Sequence, residues 1–173
     1  MGIRDEEIKR LEKYAQGLGI TILYKKYRKG DPGATMSTDG KILEMYVWSS
    51  KSKTRLILDM IHELAHAMSH IYNNRQEDPK TNEALNSEDN RKRGDKPLSK
   101  KKRKLIYDAE VFDSQYRDAI WHEVNIKLPK WRLSLDKELD NWFYYHYYKH
   151  GEFPLIKDIN QKNLELKRKY LNE

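Results

Sequence analysis

The stretch LDMIHELAHAMSHI, residues 58–71, constrains this chain more than any other. Ile57, Met60, Ile61, Leu64 and Met68 recur at helical spacing and form one apolar stripe, which requires a helix that buries that side. Two histidines, His62 and His66, sit four residues apart on the same segment, with Glu63 directly after the first. Residues four apart lie on one helical face, one turn from each other. Two imidazoles so placed can converge on one metal ion, and a carboxylate beside them can act on a bound water.

Around this helix the chain reads as a single α+β domain over residues 1–173. Residues 3–17 form a short amphipathic helix with Ile8, Leu11, Tyr14 and Ala15 at helical spacing, ended by Gly17 and Gly19. Residues 20–28 read as a strand, and 34–50 as a hairpin turning at Asp39-Gly40, which together predict a small antiparallel sheet. Ser49, Ser50, Ser52 and Thr54 are cap candidates for the helix that starts near Lys53. Residues 73–103 lack apolar periodicity and read as an exposed, flexible, charged insertion. A helix over 104–126 follows, closed by Pro129. A further helix is expected over 134–150, capped by Ser134 and broken by GEFP, and a last polar one over 155–171.

No cysteine is present, which excludes a disulfide framework and thiolate metal ligands. No apolar run approaches the roughly 18–20 residues needed to span a bilayer, and the charged N-terminus lacks the apolar core of a signal peptide. A soluble, cytoplasmic protein without membrane contact is therefore expected. The net charge of +7 is concentrated in one place: residues 91–104 hold nine Lys/Arg and one Asp, leaving 25 basic and 26 acidic side chains elsewhere. The segment before it, 76–90, carries five acids that can neutralise part of that charge. Arg91, Lys92, Arg93, Lys100, Lys101, Lys102, Arg103 and Lys104 are thus the candidate nucleic-acid contacts, and a solvated loop is the competing expectation. No aromatic residue interrupts the run, so the sequence offers no platform there for base stacking.

Two histidines do not complete a catalytic zinc site; a third protein ligand is needed, with water in the fourth position. The residues after His66, AMSHIYNNRQE, contain no Gly-and-His extension that would supply it. His70 lies about 12 Å along the axis from His62, too far to share an ion. The carboxylates of the 104–126 helix are the available donors. Glu110 and Asp113 are three apart and share a face, so Glu110 is the expected ligand and Asp113 the residue that braces a ligand histidine. Asp108 is the rival ligand, Asp118 is expected in solvent, and Asp59 is a second candidate to orient an imidazole.

HELAH followed by YDAEVFDSQYRDA resembles the gluzincin-type zinc metallopeptidases, whose third ligand is a downstream Glu. Within them it looks most like the small ImmA/IrrE-type proteins and the compact metallopeptidases of bacteriophages. The similarity covers the order of elements across about residues 1–126. It implies a zincin-like fold, one Zn2+ per chain held by His62, His66 and Glu110, and Glu63 as general base. It also implies hydrolysis of specific protein or peptide substrates. Two departures stand out: the charged insertion lengthens the gap from His66 to Glu110, and DAEVF fits the family's Glu-Ala pattern if Asp108 is the ligand. In such chemistry the metal brings its water toward a pKa of about 7, Glu63 takes the proton, and a donor stabilises the oxyanion. Tyr144, Tyr145, His146, Tyr147, Tyr148 and His150 are candidate donors, although an aromatic run at helical spacing also suits a core. Residues 41–48 are the expected edge strand for an extended peptide.

Overall fold

The computed structural model describes residues 3–29, 32–37, 39–73, 79–91 and 94–171. Its elements are α1 (Ile3–Gly17), β1 (Thr21–Lys26), β2 (Ala34–Met36), β3 (Ile42–Val47), α2 (Lys53–Asn73), α3 (Pro79–Asp89), α4 (Lys100–Ser114), α5 (Tyr116–Glu123), α6 (Lys130–His150) and α7 (Ile156–Leu171). The fold is α+β, mostly helical with one three-stranded sheet. Residues divide into two compact units, 1–75 with 113–128, and 76–112 with 129–173. The division falls inside α4, between Phe112 and Asp113.

In the first unit the sheet order is β1-β3-β2. The β2–β3 hairpin is antiparallel, with Ala34 opposite Met45, and Asp39-Gly40 makes its turn as expected. The Asp39 carboxylate accepts from the Ser37 hydroxyl at 2.6 Å and from the Lys41 N–H at 3.1 Å, and Gly40 takes a positive φ of 67°. These donors, Ser37 first, hold the Asp39 carboxyl below the usual carboxylate range. β1 runs parallel to β3, Thr21 opposite Ile42, so the sheet is mixed and not antiparallel. β3 is consequently the central strand. The expectation that it offers a free edge to a peptide is corrected: β1 and β2 occupy both of its edges.

α2 lies at the centre of this unit and packs on α1, α5, β2 and β3. Ile57, Met60, Ile61, Leu64, Ala65 and Ala67 are fully buried, together with Leu11, Leu43, Met45 and Ile120. Its N-terminus is capped by Ser52, whose hydroxyl accepts from the Arg55 N–H at 3.1 Å. Lys51 fastens the helix to the sheet. Its ammonium donates to the Gly33 and Tyr46 carbonyls at 2.8 and 2.9 Å and pairs with Asp59 at 2.7 Å.

The second unit corrects the charged insertion. Residues 79–89 are helix α3, with Thr81 and Ala84 buried, and α4 begins at Lys100 rather than 104. Residues 74–78 and the basic Lys92 and Arg93 lie outside the described set. Ala84, Ile106 and Tyr147 form a core cluster with Leu85, Leu98, Leu105 and Tyr144 against it. The Tyr147 hydroxyl donates to Glu88, and Arg103 donates to the Tyr147 carbonyl at 3.1 Å. α6 packs on α7. The α6 N-cap is Pro129 (φ −57°, ψ 129°), so this proline opens α6 rather than closing the helix before it, and Ser134 lies inside α6 instead of capping it. Gly151 ends α6 in the left-handed conformation, φ 83°. The helix expected over 104–126 is interrupted at Gln115. Its angles stay helical (φ −66°, ψ −32°). No described helix is long and apolar enough to cross a membrane.

Candidate metal centre

Because α2 buries its apolar stripe, His62, Glu63 and His66 fall on its less buried side, each partly accessible. The His62 and His66 Nε2 atoms are 3.0 Å apart and the ring centroids 4.7 Å. Two nitrogens bound to one tetrahedral zinc at about 2.0 Å would be about 3.3 Å apart, close to the spacing seen here. Glu110 supplies a third donor: one ligand atom from each of His62, His66 and Glu110 lies within 4.8 Å of the others. Glu110 is carried by the same uninterrupted helix as Asp113, one turn earlier.

Asp113 is buried, with 1% of its surface exposed. Its Oδ2 lies 2.6 Å from His66 Nδ1. A carboxylate can only accept, so His66 Nδ1 carries the proton and Nε2 presents a lone pair. The brace expected of Asp113 is therefore in place on His66. Asp108 goes elsewhere. It is exposed, and Lys104 one turn before it grips its carboxylate at 2.6 Å. Among the described residues it is Glu110, and not Asp108, that lies with the two histidines. Asp59 orients no imidazole either. It is 96% buried, and its oxygens pair with Lys51 at 2.7 Å and Arg55 at 2.6 Å. A Cβ at position 33 would come within 3.0 Å of its Oδ2, which explains the glycine there. Asp118 is half-buried rather than solvated. The His70 side chain lies outside what is described.

Arg117, 2% exposed, was not foreseen, and it donates from Nη2 to His62 Nδ1. A guanidinium only donates, so the His62 Nδ1 must accept. Arg117, His62, His66 and Asp113 thus adjoin one another in that order. His66 fits a metal as it stands. His62 turns its Nε2 toward that of His66, with Arg117 against its Nδ1. The signal for Arg117 was present in the sequence: positions 110, 113 and 117 follow the i, i+3, i+7 spacing of one helical face.

Glu63 makes no hydrogen bond or ion pair among the described residues. The aromatic candidates of α6 touch other rings of their own unit. Tyr145 and Tyr148 pack with Tyr107, His146 lies between Trp142 and His150, and Tyr144 stands edge-on to Phe143. Four of the basic candidates are engaged locally, in part with the acidic segment as expected: Arg91 with Glu88, Lys102 with Glu83, Lys104 with Asp108, and Arg103 with the Tyr147 carbonyl. Comparison with protein-family models, with curated proteins and with solved structures finds no match for this chain.

Proposed function

We propose that this chain is a zinc-dependent metallopeptidase on a zincin-like, gluzincin-type scaffold, cleaving specific protein or peptide substrates. The observation that carries the proposal is the Asp113–His66 contact beside His62. It fixes a metal-binding tautomer on the second histidine of a His-Glu-x-x-His helix. Two imidazoles and a carboxylate are a donor set suited to zinc. His62, His66 and Glu110 would hold one ion per chain. When bound, zinc supplies Lewis acidity toward a scissile carbonyl and makes water a nucleophile near neutral pH.

The chain's own residues have separate tasks in this scheme. Asp113 keeps His66 Nε2 unprotonated and its ring oriented. Glu63, next to His62 and without a protein partner among the described residues, accepts a proton from water and returns it to the leaving amine. Lys51 and Asp59 hold the first turns of α2 against the sheet, which keeps His62 in register with the strands. The test uses purified protein loaded with one equivalent of zinc against a panel of unfolded and folded protein substrates. Cleavage abolished in Glu63→Gln, with zinc content unchanged, supports the proposal. Equal cleavage by wild type and Glu63→Gln would overturn it, as would a wild type that takes up no zinc on reconstitution.

A further inference from the structure

The basic run that opens α4 has no aromatic residue within it, but the fold supplies three. Tyr107, on α4, meets Tyr145 and Tyr148 of α6, with ring centroids 5.7 and 5.9 Å away. Tyr145 is 44% exposed. The lysines around these rings have no carboxylate of their own. Lys100 lies with its ammonium 5.7 Å from the Tyr148 centroid. Lys149 is 5.2 Å from Tyr145 and 5.3 Å from Tyr148. Lys101, next to Lys100, is exposed. None of the three forms a salt bridge among the described residues. Asp108, next to Tyr107 in sequence, is already neutralised by Lys104. All these residues belong to the second unit.

We propose that this face, Lys100, Lys101, Tyr107, Tyr145, Tyr148 and Lys149, binds single-stranded nucleic acid. Sequence-tolerant single-strand binding needs cations that track the backbone and aromatic faces on which unstacked bases lie. Both are here, and nothing on the face reads base edges, so little sequence preference is expected. The lysines now over the rings do not block it. An exposed ammonium over an aromatic ring is worth roughly a two- to fivefold factor, whereas a base stacked there is worth roughly five- to a hundredfold. A displaced lysine also gains a phosphate. A duplex keeps its bases stacked internally and cannot use the rings.

The test is fluorescence anisotropy of the full chain with a fluorescein-labelled single strand of twelve thymidines, and with a duplex of the same length. Chelator is present, so metal loading plays no part. Binding to the single strand at 50 mM salt is expected, with a log–log salt slope of about −2 for three cations and so roughly a twentyfold loss by 200 mM. Tyr145→Ala should weaken binding at least fivefold, while Tyr145→Phe, which keeps the ring, should stay within twofold. The double variant Lys100→Gln, Lys149→Gln should flatten the slope. No binding at 50 mM salt would overturn the proposal. So would duplex binding as tight as single-strand binding with Tyr145→Ala unchanged, since that is only adsorption of a basic protein.

Discussion

Replacing Asp113 by alanine tests the centre at the residue on which its chemistry turns. The carboxylate is buried and sits 2.6 Å from His66 Nδ1. A hydrogen bond to a charged group is worth about 1.5–3 kcal/mol, and outer partners of metal-bound histidines change metal affinity by about 10–100-fold. The second figure is about 1.4–2.7 kcal/mol, so both routes agree. Without Asp113 nothing in this contact selects the Nδ1–H tautomer, and the ring loses its anchor. Asp113→Ala should therefore raise the zinc dissociation constant about 10–100-fold. Asp113→Asn keeps an accepting oxygen without charge. A neutral hydrogen bond is roughly half as strong as a charge-assisted one, so about three- to tenfold is expected. The assay is competition for zinc against a chromophoric chelator at fixed pH, with circular dichroism to show that the fold survives. If folded Asp113→Ala binds zinc within twofold of wild type, Asp113 does not orient a metal ligand, and the argument for His66 fails.

Arg117→Gln should act in the opposite direction. Glutamine offers an oxygen that can accept from His62 Nδ1–H, the form a metal requires, so zinc affinity in the same assay should rise by up to about tenfold; a fall would refute the tautomer assignment. Lys51→Met leaves a buried carboxylate, Asp59, without its buried partner, and should cost about 3 kcal/mol in urea denaturation; a loss below about 1 kcal/mol would show that the pair does not anchor α2. Tyr147→Phe should cost about 1.5 kcal/mol at pH 7, because it deletes a fully buried hydroxyl bonded to Glu88. Burial first, and the Glu88 bond second, push the Tyr147 phenol well above its ordinary value of 10. A group raised on folding stabilises fully below its unfolded pKa, and that contribution is lost as pH climbs through the folded one. The gap between wild type and Tyr147→Phe should therefore narrow as pH rises above 10, and a gap that widens would refute the assignment.

The parts of the fold that were legible in the sequence are those fixed by local rules. α2 announces itself because five large apolar residues repeat at its period and Ser52 caps it. Asp39-Gly40 announces a hairpin because a tight turn needs these residues. α3 is silent for a physical reason. Its buried positions are Thr81 and Ala84, too small and too polar to register as an apolar stripe. It is tied instead through side chains distant in sequence, Glu83 to Lys102 and Glu88 to Tyr147. The partner of β1 was misread because Gly-Asp-Pro-Gly after it looks like a hairpin turn, and turn chemistry does not say which strand the chain will meet. Asp108 could have been set aside from the sequence alone, since Lys104 stands four residues before it on the same helix.

The site divides in the same way. The spacing of His62 and His66 is local, so it says where two imidazoles lie. It cannot say where their protons are. Those are set by Asp113, 47 positions from His66, and Arg117, 55 positions from His62. One of these can only accept and the other can only donate. A metal needs a lone pair from each ring. Arg117 stands against the Nδ1 of one ring and Asp113 against the Nδ1 of the other, so the two histidines are held by groups of opposite hydrogen-bonding capacity. Two proteins with the same five-residue motif would differ in metal affinity through position 117. The difference is chemical, carried by donor and acceptor capacity, and no count of histidines and carboxylates along the chain would reveal it.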